Sequence, residues 1–181
     1  MRNVRTPQPS TTLTPGAIKA GAGRYTFDLA ALHTIDAGPG YSTAHGSVIE
    51  GERIQIGLMR VPRGTGGRPH SHPNEQWIYV LRGTLESEVD GVKSRVPAGS
   101  LIYIPSNVVH SALATPDEDV VFLTAKDMSH GIAGTPVDRS ISAPLHAPGF
   151  EPNKTSRGQE RVCGSDPSSH EVKGPVPRAP R

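Results

Sequence analysis

Between the two ends of this 181-residue chain the apolar residues recur at every second position, and the 3.6-residue spacing of a helix is nearly absent. Ile54, Ile56 and Leu58 alternate with Gln55 and Gly57 in one strand. Residues 77–81 form a continuous apolar run closed by Gly83, which predicts a strand buried on both faces. Leu85, Ser87 and Val89 alternate with Glu86, Glu88 and Asp90, so that strand has one dry and one wet face. Asp90-Gly91 follows at once, the pair preferred by a type I′ hairpin because both central residues take positive φ, and residues 92–96 are the return strand. Residues 101–104, 108–114 and 120–125 complete the series, set apart by Pro105-Ser106-Asn107 and Thr115-Pro116-Asp117. Gly and Pro together supply 38 of the 181 residues, a load that breaks helices and excludes an all-α bundle. Short strands at close spacing predict an all-β sandwich or barrel. Residues 127–138 read as a looped segment that covers a barrel mouth or extends a dimer contact.

The ends have a different character. Residues 1–23 carry a charge of +3, residues 151–181 carry +2, and residues 24–150 carry −3. Both basic ends are rich in Pro, Ser, Thr and Gly and too poor in apolar residues to bury a core, so they read as a flexible arm over 1–23 and a disordered tail over 149–181. The barrel then occupies 24–148. The basic residues are scattered singly, whereas a segment that grips nucleic acid or a membrane concentrates them in blocks, so neither partner is expected. No stretch approaches the roughly 20 apolar residues of a membrane span, and the first residues lack the apolar run of a secretory signal, which predicts a soluble, cytoplasmic protein. Cys163 is the only cysteine, so an intrachain disulfide and a thiolate zinc cluster are excluded. It lies in the tail, where no base is positioned to make it a nucleophile.

The chemistry-bearing residues gather in two places. In Gly64-Thr-Gly-Gly-Arg-Pro-His70-Ser-His72-Pro-Asn-Glu75-Gln76, an extended backbone sends His70 and His72 to the same side, close enough to share one divalent ion. His110 opens the strand that follows Pro105. If the two hairpins are neighbours in a barrel, its imidazole reaches the same ion, and Gln76 or Glu75 supplies a fourth ligand. Such a nitrogen and oxygen donor set accepts Fe, Mn, Zn or Ni, with geometry and supply deciding among them.

These residues resemble the cupins. The first cupin motif, G-x5-H-x-H-x(3,4)-E-x6-G, is met by Gly64, His70, His72, Gln76 and Gly83, with an amide at the acidic position. The second, G-x5-P-x-G-x2-H-x3-N, is met at Gly91, Pro97 and Gly99, with its histidine displaced to His110 and Ala114 at the place of the terminal Asn. The resemblance spans residues 50–125. It implies a single cupin β-barrel (a jelly roll, or double-stranded β-helix), a metal held by His70, His72, His110 and Gln76, with Glu75 as the alternative fourth ligand, and a homodimer paired through sheet edges. The HPxEQ form looks like that of cupins that open unsaturated uronate rings and of polyketide-cyclase cupins. A neutral amide leaves the site one unit more positive than a carboxylate would, which favours an anionic small-molecule substrate and a stronger Lewis acid.

Three function classes follow: metal-bound enolate or enediolate chemistry of the isomerase, cyclase or lyase type; an Fe(II)-dependent dioxygenase; and a non-enzymatic binding module. A sensor would carry a DNA-binding helix-turn-helix, for which this chain has no pattern. Tyr79 and Tyr103 lie on core strands, where either presents a phenol to the cavity or is simply packed. Arg68 clamps a substrate carboxylate from the rim or is solvated. His33, His45 and His130 sit in polar or Gly-rich contexts and are expected at the surface, with His130 a candidate lid residue.

Overall fold

Alternation becomes strands along most of the chain in the computed structural model, which describes residues 12–152 and has no helix among them. The strands are β1 (Ile18–Lys19), β2 (Ile35–Asp36), β3 (His45–Glu50), β4 (Ile54–Val61), β5 (Thr65–Ser71), β6 (Gln76–Arg82), β7 (Thr84–Val89), β8 (Val92–Pro97), β9 (Leu101–Ile104), β10 (His110–Ala114), β11 (Val120–Asp127), β12 (Thr135–Pro136) and β13 (Leu145–His146). One sheet runs β1-β3-β4-β11-β6-β9 with β2 beside β3, and the other runs β12-β5-β10-β7-β8 with β13 beside β5. Their inner faces meet in the core of a jelly roll, where Val48, Met59, Val80, Leu85, Ile104, Ala114 and Val120 are almost completely buried. A fully buried Val, Leu, Ile or Met side chain contributes about 1.5–3 kcal/mol to such a core. The β7–β8 hairpin closes as its residues require, with φ of 51° at Asp90 and 76° at Gly91.

The 77–81 strand differs from its expectation of burial on both faces. Ile78 and Val80 point inward, whereas Trp77, Tyr79 and Leu81 are 41–44% exposed. In β4 the inward residues are Gln55, Met59 and Val61, and Ile54 and Ile56 face outward. The cross-strand pairs Trp77 with Tyr103 and Tyr79 with Leu101 lie on the same outer side. This sheet is thus apolar on both faces, and the run of apolar residues in β6 records that fact rather than two-sided burial.

The boundaries also shift. Residues 12–23 do not form the flexible arm expected of them. The buried carboxylate of Glu50 accepts the backbone N–H groups of Leu13 (2.9 Å) and Thr14 (2.7 Å), and β1 then runs parallel to β3. At the other end the fold passes the expected limit at 148. Gly64, at φ 67°, leaves room for the Phe150 ring, atoms of which lie 2.3–2.6 Å from where a Cβ would stand. Residues 1–11, and residues 153–181 with Cys163, lie outside the described part of the chain.

Candidate functional site

Strand pairing brings the distant histidine to the HxH segment. β5 and β10 are antiparallel neighbours, and His110 stands directly opposite His70. Past His110 the register slips by a bulge, so that Ala112 faces Gly67 and Leu113 faces Gly66. A Cβ on Gly66 would lie 2.1 Å from the Ala112 carbonyl oxygen, so only glycine permits this approach. After β5 the chain crosses from one sheet to the other through His72 and the buried Asn74, and Gln76 opens β6. The His70 and His110 rings are 4.1 Å apart between centroids, His72 and His110 4.8 Å, and His70 and His72 6.2 Å.

Each imidazole is set by a backbone carbonyl. Nδ1–H of His70 donates to Arg68 O (2.6 Å), that of His72 to Asn74 O (2.8 Å) and that of His110 to Val108 O (3.0 Å). A neutral ring that donates from Nδ1 keeps an unprotonated lone pair on Nε2. Burial holds the rings in that neutral form. It pulls His70 down to about 4, despite the Arg68 carbonyl, and His110 down to about 3, with the neighbouring His70 adding to the effect. His72 is lowered as well, by burial first and the Lys126 charge second.

Gln76 completes the donor set. Its Nε2–H donates to Thr124 Oγ1 (2.8 Å), which turns Oε1 to a point 2.8 Å from His72 Nε2. Both ring nitrogens of His72 therefore face acceptor oxygens, Asn74 O and Gln76 Oε1, and the neutral ring donates to one of them at a time; with the proton on Nδ1, Nε2 and Oε1 stand at the separation of adjacent ligands of one ion, since bonds of 2.0–2.2 Å at right angles separate such ligands by about 3 Å. Among the described residues no three His, Cys, Asp or Glu groups already stand at metal-binding separation. The fit to a divalent ion therefore rests on donor chemistry, three neutral imidazoles and one amide oxygen, with a side-chain adjustment needed at the wider His70–His72 gap.

The other expected residues are placed elsewhere. Glu75 is exposed on the outer face, where its carboxylate accepts Trp77 Nε1–H (3.0 Å) and the Tyr103 hydroxyl (3.4 Å), so it is no alternative ligand. Tyr79 and Tyr103 stand on that face too and do not reach the cavity. These corrections have one cause: with Gln76 inward, its neighbours at 75, 77 and 79 point out, and Tyr103, the cross-strand partner of Trp77, follows them. Arg68 is no rim clamp, because its Nε–H donates to Ala143 O (2.5 Å), away from the cavity wall. His130 is exposed, and its carbonyl is held by Gln55 Nε2–H (2.7 Å) and Asn74 Nδ2–H (2.9 Å). His33 is exposed and His45 is half-buried on β3. Of the looped segment 127–138, Ile132 is the residue that lines the cavity, its N–H tied to Thr14 Oγ1 (2.9 Å).

Two side chains at the cavity escape a reading of the sequence. Tyr41 packs its ring 4.8 Å from His70 and accepts Gly134 N–H on its hydroxyl (2.7 Å), which leaves the phenolic proton to donate; burial raises its pKa. Lys126 is only 4% exposed and donates from Nζ to Ile132 O (2.7 Å). Burial brings it down to about 7, against the pull of Asp127. Its signal was present in the sequence, because the inward alternation Val120, Phe122, Thr124 continues to position 126. Tyr41 left no comparable trace. The cavity that His70, His110, Gln76, Tyr41, Thr124 and Lys126 help to line has a volume of about 80 Å³.

Residues 57–126 match the family described as Cupin domain. No curated protein sequence matches the chain. Among solved structures, the polyketide cyclase RemF from Streptomyces resistomycificus superposes with a TM-score of 0.57 at 21% identity, covering 65% of this chain and 88% of its own. KdgF from Halomonas sp. gives 0.50 at 24% identity, covering 57% and 94%. An RmlC-like cupin from Shewanella frigidimarina gives 0.50 at 21%, covering 59% and 91%.

Proposed function

We propose, for a chain whose domain and barrel are those of a cupin, that it is a divalent-metal-dependent enzyme of the isomerase, cyclase or lyase type acting on a small oxygenated organic substrate. One observation carries the reading: three buried imidazoles each turn Nδ1 to a backbone carbonyl, which leaves a lone pair on Nε2 of His70 and His110 and sets Nε2 of His72 2.8 Å from the Gln76 amide oxygen. His70, His72, His110 and Gln76 would hold the ion. When bound, a divalent ion supplies Lewis acidity towards substrate oxygens.

The chain's own groups supply the rest. Thr124 fixes the Gln76 amide, so the fourth donor is neutral and the site favours an anion over a neutral substrate. Tyr41, in place of Tyr79 and Tyr103, is the phenol positioned to give a proton at its Oη. Ile132 and the apolar wall formed by Met59, Ile78 and Phe122 exclude water. The neutral donor set favours chemistry without electron transfer, and a polyketide cyclase is among the proteins that share the barrel.

The test is elemental analysis of protein purified without added metal or chelator, beside His110→Ala. Close to one metal atom per chain in the parent, and loss of most of it in a variant that keeps its far-UV circular dichroism, is the expected result. Full metal retention in His110→Ala would remove that residue from the site, and no metal in the parent after incubation with each divalent ion would leave a binding barrel. Stoichiometric iron with substrate-dependent oxygen consumption would replace this reading with the dioxygenase one.

A further inference from the structure

Lys126 stands apart from every other lysine or arginine described. It is 4% exposed, on the inward face of β11, and Gln76 is its cross-strand partner on β6. Its ammonium has one hydrogen-bond acceptor among the described residues, the Ile132 carbonyl at 2.7 Å, and no carboxylate within salt-bridge distance. The adjacent acid, Asp127, is turned away, with its carboxylate on the backbone N–H groups of Glu75 (2.6 Å) and Ser129 (2.8 Å). Burying a lysine without a counter-charge costs either the desolvation of its ammonium or the loss of its proton, and a methionine would fill the same space without either. The fold tolerates the group where it lines the same cavity as His70 and His110. An entering carboxylate would supply the missing counter-charge, hold the proton on Nζ and meet the N–H donors that the Ile132 carbonyl does not use.

We propose that Lys126 is the specificity-determining residue of this cavity, the cation that receives the carboxylate of a small organic acid whose neighbouring oxygen faces His70, His72, His110 and Gln76. The inference rests on the reading of those four residues as the reactive centre and names the substrate class. The size of the cavity bounds that class. About 80 Å³ holds roughly five to eight water-sized groups, which corresponds to an acid of about three to five carbons carrying an adjacent hydroxyl or carbonyl oxygen. Recognition by this one lysine also explains how a mostly apolar cavity selects such a polar molecule: the carboxylate meets its partner only beside the Ile132 carbonyl that holds Nζ.

Calorimetric titration of the full chain with lactate and with its neutral isostere lactamide, in metal-free and cobalt-loaded protein, tests this. Lys126→Met removes the charge and Lys126→Gln keeps a donor for the Ile132 carbonyl. The parent should bind lactate at least tenfold more tightly than lactamide, and both variants should lose that preference while lactamide affinity stays within about twofold. Cobalt stoichiometry should remain at the parent value, and the melting temperature of Lys126→Met should stay level or rise, which a purely structural lysine would not allow. Equal lactate affinity in parent and Lys126→Gln, or no preference for lactate in the parent with or without cobalt, would overturn the proposal. Absence of cobalt binding in the parent would refute the metal centre instead, and a lactate preference that still depended on Lys126 in that protein would leave the anion site standing.

Discussion

Lowering the pH of the metal-free protein from about 7 to about 4.5 should remove most of its stability, because its three clustered imidazoles are buried in the neutral form, with one N–H each. In the unfolded chain they titrate near 6.5, whereas in the fold His70 is held at about 4 and His110 at about 3, mainly by burial. Between those values the unfolded state takes up protons that the folded state refuses, so stability falls as pH falls. For His70 the difference of about 2.5 units corresponds to roughly 3 kcal/mol once the whole window is crossed, at about 1.4 kcal/mol per unit. His110 adds a similar amount, less than additively, because part of its depression is the charge His70 would carry. Against the 5–15 kcal/mol of an ordinary domain this is a large fraction. Asp119, Asp127 and Asp138, all held below the usual carboxylate range, act in the same direction only near and below pH 4, and Lys126, held at about 7, adds to the fall only at the upper end, so the window from about 6 to 4.5 reports the histidines. Urea unfolding of chelator-treated protein, followed by circular dichroism at steps across that range, measures the slope. His110→Ala should flatten it. A parent whose unfolding free energy is constant from pH 7 to 4.5 would show the rings to be protonated in the fold, and the lone-pair argument would fail with them.

Two substitutions probe the same centre from other sides. Gln76→Glu should bind cobalt at least as tightly as the parent, since a carboxylate replaces an amide, and should weaken a small anion by about tenfold; competition titration reads both, and unchanged anion affinity would refute the charge argument. Gly66→Ala should cost roughly 1–3 kcal/mol in urea unfolding and lower metal affinity as well, because the new Cβ meets the Ala112 carbonyl and pushes β10, with His110, away from β5. Stability lost with metal affinity intact would mean that the β5–β10 approach does not position the histidine.

The strands and the metal-type motif could be read from the sequence because each depends on local spacing: two residues per strand repeat, one type I′ turn, and His70-x-His72 on one side of an extended chain. What spacing did not give was the sense of each strand. The outer face of β6 is as apolar as its inner face, so hydrophobicity alone could not say which of Trp77 and Ile78 was buried. Gln76 could have settled it, since an inward residue there sends 78 and 80 inward and 77 and 79 out. Lys126 was hidden for the converse reason, because a lysine reads as solvated unless its strand parity is followed to the end. The N-terminal segment reads as a free arm because its anchor, Glu50, lies 36 residues along the chain from Thr14 and leaves no local pattern there.

The same parity decides what light can report about this protein. Its single tryptophan, Trp77, sits on the outer face with its indole N–H on Glu75 and its ring 4.6 Å from Tyr103, one position along the backbone from Gln76 but on the opposite side of the sheet. Intrinsic emission is therefore a gauge of the outer surface, and filling the cavity changes it only through the sheet between them. Replacing the indole by phenylalanine and building a new one at Phe122, which lines the cavity, would move the chromophore to the chemistry.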